Sequence, residues 1–131
     1  MFLFHVFVPI YKIIYFPFNM PGIFLFLLGV TISLRGSGKF EQKGTTSMTF
    51  DKPSVLVTEG IYEYSRNPMY LGLLLALIGV SWSLGSISTI FPVVFYALML
   101  DRYYIPFEEN MLYNEFGERY SDYKGRVRRW I

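Results

Sequence analysis

The residues best equipped for chemistry in this chain fall into two clusters. One is Leu56-Val57-Thr58-Glu59-Gly60-Ile61-Tyr62-Glu63-Tyr64-Ser65-Arg66-Asn67-Pro68-Met69-Tyr70-Leu71-Gly72. The other is Glu108-Glu109, followed by Phe116-Gly117, Tyr120, Tyr123 and the basic run Arg126-Val127-Arg128-Arg129-Trp130-Ile131. In the first cluster Asn67 precedes a proline and is pushed out of the helical region, so a helix is expected to start at Pro68. The open N–H groups of that first turn, with the helix dipole, attract an anion such as a carboxylate. Arg66 stands beside them. The same residues also suit a plain helix start with interfacial tyrosines. In the second cluster, neighbouring carboxylates on a helix point in different directions, so at most one of Glu108 and Glu109 is expected to face a cavity. Solvation of both where a helix leaves a bilayer is the alternative. Asp101 lies seven residues before Glu108 and shares its helical face provided Pro106 does not break the helix.

Apolar elements must carry these clusters. Residues 67–100 hold no charged side chain and residues 1–34 hold only Lys12. The chain is 53% hydrophobic and 20% aromatic, too apolar to cover a soluble domain of this length. The expected fold class is all-α: one integral membrane domain, residues 1–131, with about four transmembrane helices and a cytoplasmic C-terminal helical tail. The spans fall at about 1–16, closed by Pro17 and Asn19-Met20-Pro21; 21–34, ended by Arg35-Gly36-Ser37-Gly38; 68–84, broken by Gly85-Ser86; and 87–105, with Pro92 as a bend. The first two are short for a bilayer and call for tilt or local thinning. The 35–67 loop carries Arg35, Lys39, Lys43, Lys52 and Arg66, whereas the Gly85 turn is uncharged. The positive-inside rule then puts that loop, the 106–131 tail, both termini and the site in the cytoplasm. Lys12 dissents and could snorkel. The tail, cationic and aromatic, suits anchoring on an anionic leaflet.

Several classes drop out. A net charge of +2 without a basic-aromatic groove gives no case for nucleic acid. There are no cysteines, and His5 is the only histidine, so no metal site is expected. The N-terminus lacks a basic n-region and reads as a retained span. No internal repeat or mid-membrane charge suggests a transporter. Gly72, Ala76, Gly79 and Ser83 form a small-residue stripe, fit either for packing within the chain or for a dimer seam. The oligomeric state stays open.

Taken in order and joined by an uncharged hairpin, Leu56-Val57-Thr58, Gly60, Tyr62, Arg66, Pro68, Tyr70 and Gly72, then Glu108-Glu109, Phe116-Gly117, Tyr120, Tyr123 and Val127, resemble the isoprenylcysteine carboxyl methyltransferase family. That family sits within the wider group of phospholipid methyltransferase-like enzymes. The resemblance covers roughly residues 45–131; the first two helices match only in being apolar. It implies a membrane enzyme that takes S-adenosylmethionine from the cytosol and methylates a lipophilic or small-molecule acceptor reaching the site from membrane lipids. By resemblance Ser54, Val55, Leu56, Val57, Tyr62, Arg66, Asn67, Pro68, Met69, Tyr70, Glu108 and Glu109 bind the cofactor. Two positions depart from the eukaryotic-type members. Asn67 stands where they have a histidine, and Tyr104 where an arginine, four residues before the first glutamate, engages the substrate. Arg102, two residues before Tyr104, and Tyr104 itself are therefore the catalytic candidates. The acceptor stays open between a carboxylate, a lipid amine and a small thiol. A non-catalytic membrane scaffold is the rival from another class.

Overall fold

The computed structural model describes residues 1–7, 11–45 and 51–131. Its helices are α1 (Phe2–Phe7), α2 (Pro21–Gln42), α3 (Pro68–Leu84), α4 (Ile90–Met99), α5 (Ile105–Phe116) and α6 (Glu118–Arg126). Short 3₁₀ turns fall at Gly60–Glu63 and Ile87–Thr89, and a π-helical stretch at Leu100–Tyr104 joins α4 to α5. Among the described residues there is no β-strand beyond one isolated bridge, Lys12 with Ser86. By length and composition, Pro21–Gln42 and Ile87–Phe116 are apolar enough to cross a bilayer, and Pro68–Leu84 is a shorter apolar helix. Phe24, Leu27, Phe91, Phe95 and Leu98 remain exposed on α2 and α4, an apolar surface suited to lipid.

The antiparallel pair α2–α3 is the spine of the fold. Gly22, Gly29 and Gly36 are its buried residues on α2; Gly72, Ala76, Gly79 and Ser81 are buried on α3. A Cβ added at Gly72 would sit 2.5 Å from the Gly29 carbonyl, and one at Gly79 2.5 Å from the Phe26 nitrogen. Small residues let the two backbones touch, which is how helices associate where no hydrophobic effect drives them. The expected stripe on α3 thus packs within the chain.

Three boundaries differ from the sequence expectation, each for a physical reason. The expected first span, 1–16, falls partly on residues 8–10, which lie outside the described residues; its described part is helical only over Phe2–Phe7. Residues 11–16 are not helical, because their backbone is used elsewhere: Ile13 N–H donates to the Gly85 carbonyl at 2.7 Å. The helix α1 packs against the Ile87–Thr89 turn, at the end of the bundle remote from the two motifs. Second, α2 runs through Arg35-Gly36-Ser37-Gly38 to Gln42. Glycine costs about 1 kcal/mol of helix propensity, but Gly36 packs on Met69 and its carbonyl accepts the Tyr62 hydroxyl at 3.4 Å. Third, the rod does not stop at 105. Pro106 lacks an N–H and would clash with the carbonyl four residues back, and the π turn opens the ladder there so that α5 continues. The tail, expected as an interfacial anchor, also makes contacts within the fold: Arg129, partly exposed, pairs with Glu109 and Asp101.

Candidate functional site

Besides the glycine spine and Val93, Leu100 and Ile105 on the α4–α5 rod, a local buried cluster forms from Val57, Tyr62, Tyr120 and Tyr123, with Phe40, Leu56, Leu112 and Phe116 packed against it. Phe40 and Tyr62 meet edge to face at 5.5 Å, a favoured aromatic geometry. The Tyr123 hydroxyl donates to the Tyr62 carbonyl at 2.7 Å. Burial, then the neighbouring Tyr123, pushes the Tyr62 phenol far up, and burial first of all also raises Tyr123. Both therefore stay neutral donors. This core supports a cavity of about 440 Å³, open on one side, between α2, the 51–70 segment, α5 and α6.

The two motifs meet at that cavity. Val55, Leu56, Val57, Tyr62, Arg66, Asn67, Met69, Tyr70, Glu108 and Glu109 all line it. Ser54 and Pro68 do not: the Ser54 N–H donates to Thr45 Oγ1 at 2.9 Å, and Pro68 is wholly buried as the first residue of α3. Arg102 and Tyr104 also lie outside the wall, exposed on the π stretch that leads into α5. Phe40, Asp51, Pro53, Met111, Leu112, Tyr120 and Tyr123 complete the wall and were absent from the sequence-based set. Four had a signal: Tyr120 and Tyr123 belong to the second motif, while Leu112 follows Glu108 by four residues and Phe40 follows Gly36 by four, each of these pairs sharing a helical face.

The paired glutamates both reach the wall, against the expectation that at most one would, and they have different partners. Glu108 accepts the Tyr70 hydroxyl at 2.6 Å. Glu109 accepts from Arg66 Nη1 at 2.8 Å, from Arg129 Nη2 at 3.0 Å and Nε at 3.2 Å, and from Lys124 Nζ at 3.3 Å. The Arg66 and Glu109 side chains are only 9% and 10% exposed, so this pair is an internal tie. Arg66 Nη1 also donates to the Tyr120 hydroxyl at 3.2 Å, while Arg66 Nε is buried without a partner. Arg129 bridges on to Asp101 at 3.1 Å, and its pKa is raised, first by its bond to Glu109. Asn67, the N-cap of α3, makes no side-chain capping bond. Helix geometry leaves the Met69 N–H without an intrahelical acceptor.

A mainly apolar wall that includes an orphaned guanidinium N–H, the first turn of α3 and a carboxylate beside tyrosines can hold a ligand that carries both an anion and a cation. No metal-binding group of three or more acidic, histidine or cysteine residues occurs among the described residues. Comparison with known proteins agrees in kind. The profile of the phospholipid methyltransferase family matches residues 18–119, so the match includes α2. The chain is 42% identical over 74 residues to protein-S-isoprenylcysteine O-methyltransferase B of Arabidopsis thaliana, covering 55% of this chain and 36% of that protein. Over 79 residues it is 37% identical to protein-S-isoprenylcysteine O-methyltransferase of Schizosaccharomyces pombe, covering 59% and 33%. An uncharacterised protein of Haemophilus influenzae is 38% identical over 63 residues, 48% of this chain and all of that protein. The chain thus spans about a third of the length of the two named methyltransferases. No solved structure matches it.

Proposed function

The chain belongs to the phospholipid methyltransferase family, and on that premise we propose that it is an integral membrane methyltransferase that uses S-adenosylmethionine to methylate a lipophilic acceptor. The observation that carries the proposal is the single cavity lined by both motifs, with an anion-accepting and a cation-accepting side. Its volume lies within the roughly 300–1,000 Å³ common for small-molecule sites.

The wall fits the cofactor's chemistry. Arg66 Nε, buried without a partner, and the first-turn N–H of Met69 suit its carboxylate. Glu108 suits its ammonium or ribose hydroxyls, and the tyrosine faces suit its sulfonium. Bound there, S-adenosylmethionine supplies an already activated methyl carbon for in-line displacement. The protein's task is then to hold two reactants in near-attack geometry, an effect worth up to about 7–11 kcal/mol. Phe40, Leu56, Leu112 and Tyr123 give the cavity apolar and aromatic walls. A carboxylate acceptor needs no base, whereas an amine or thiol must lose a proton first. Arg102 and Tyr104, on the same rod within two turns of Glu108, are the acceptor-side candidates.

We further propose that α2, α3 and the α4–α5 rod cross the bilayer with the cavity at the cytoplasmic face. Lys39, Lys43, Lys52, Arg66 and the basic tail gather at that end, and Lys12 beside the Ser86 turn marks the other. The N-terminal residues then lie near the opposite face, in place of a fourth crossing.

The test is calorimetry of the purified chain in detergent with S-adenosylhomocysteine. Saturable 1:1 binding weakened at least tenfold by Glu108→Ala is expected. Well-folded protein that binds nothing would instead favour the non-catalytic scaffold.

A further inference from the structure

Residues 127–131 contribute nothing to the cavity wall, yet they are tied to both motifs. The Arg129 guanidinium donates to Asp101 Oδ1 at 3.1 Å and to both Glu109 oxygens at 3.0 and 3.2 Å. Trp130 Nε1 adds a bond to Asp101 at 3.3 Å. The backbone of the same segment faces the start of α3. The Arg129 carbonyl accepts from Asn67 Nδ2 at 3.1 Å and from Ser65 Oγ at 3.4 Å, and the Arg128 carbonyl accepts the Arg66 N–H at 3.0 Å.

These contacts explain an oddity of the site. An N-cap asparagine ordinarily folds its side chain back onto the N–H groups of the first helical turn. Asn67 makes no such bond; its Nδ2 donates instead to the Arg129 carbonyl. The donor it would otherwise claim is the N–H of Met69, a residue of the cavity wall. The Arg129 side chain adds to the hold on that backbone, because two carboxylates from different parts of the rod fix it.

We infer that Arg129 is a positioning residue for the methyl-donor site: by holding Asn67 away from its own helix, it keeps the start of α3 open to an anionic group. The inference rests on reading the cavity as that site. Releasing Arg129 should let Asn67 cap α3 and compete with the ligand.

Calorimetry with S-adenosylhomocysteine in detergent tests this on the full chain. Arg129→Gln should raise Kd about tenfold with stoichiometry unchanged. Adding Asn67→Ala to that variant should bring Kd back to the value of Asn67→Ala alone, because the competing cap is gone. Asp101→Asn, which loosens the anchor without touching the cavity, should raise Kd by a smaller factor and remains informative if Arg129→Gln does not fold. An unchanged Kd in both single variants, a reduced stoichiometry at unchanged Kd, or no recovery in the double variant would overturn the inference. Absence of binding by the unaltered chain would instead overturn the methyl-donor reading itself.

Discussion

Glu108 and Glu109 are adjacent in sequence and divided in work: Glu108 accepts the Tyr70 hydroxyl at 2.6 Å, while Glu109 is enclosed by Arg66 at 2.8 Å and Arg129 at 3.0 Å. One glutamate therefore pairs with α3 at the cavity wall, and the other binds the tail to the first motif.

That division predicts opposite phenotypes for the same change. Glu109→Gln leaves Arg66, a buried guanidinium, without its countercharge, and should cost about 3–5 kcal/mol. Glu108→Gln should leave the melting temperature in detergent nearly unchanged while weakening S-adenosylhomocysteine binding. Equal melting temperatures for the two variants would contradict the assignment.

The glycines sort by what surrounds them. Gly72→Val drives a side chain into the Gly29 carbonyl and the Ser33 backbone and should destabilise by about 1–3 kcal/mol or more. Gly38 and Gly125 are helical with nothing within 4 Å of an added Cβ. Alanine at either should be neutral or stabilising by up to about 1 kcal/mol. Thermal melting of the three variants distinguishes them.

Alkaline pH should unfold the protein through its buried phenols. Tyr62 and Tyr123 both have an ordinary pKa of 10.0 and are pushed well above it by burial. A raised folded pKa contributes stability that is complete below the unfolded value and is lost as pH climbs from there toward the folded one. The melting temperature should be level from about pH 7 to 9 and fall beyond about 10. Tyr123→Phe should give a shallower alkaline decline, at a neutral-pH cost of about 1 kcal/mol for the lost bond to the Tyr62 carbonyl. An alkaline profile unaffected by that substitution would remove the phenol as the cause.

Arg102 reports on the acceptor. A charge-assisted bond to a carboxylate is worth about 1.5–3 kcal/mol, so Arg102→Ala should cost roughly tenfold or more in kcat/KM if the acceptor is a carboxylate. For a neutral amine or thiol it should cost little. Labelled S-adenosylmethionine offered with prenylcysteine analogues, membrane lipid extract and small thiols, on both forms, decides between them.

Local chemistry explains which features could be read in advance. Helix α3 has the expected bounds because Pro68 and the left-handed Gly85, at φ 67°, are local start and stop signals. The residues around Arg66 and Glu108 were legible because their polar groups stand out against uncharged neighbours. Helix α2 was cut short at Arg35-Gly36 because propensity alone cannot foresee that Met69 and Tyr62 pack on Gly36. Residues 11–16 look helical in composition, yet their backbone bonds to the Gly85 turn, a partner about 70 residues away in sequence. Tyr120 and Tyr123 stand out in the second motif and Phe40 shares a helical face with Gly36, but that they join one cavity depends on α6 and the end of α2 folding over the first motif.

The extension of α2 has a consequence for what the protein can recognise. One rigid rod of 22 residues, about 33 Å long, carries the glycines locked against α3 and, near its far end, Phe40 in the cavity wall. The cavity cannot rise or sink relative to the apolar belt without breaking those backbone contacts. The rod is in effect a ruler. On the proposed reading of the cavity as a methyl-transfer site, it would set a fixed height above the hydrocarbon for that transfer, and acceptors would be sorted by how far their reactive atom stands out from the lipid as well as by what that atom is.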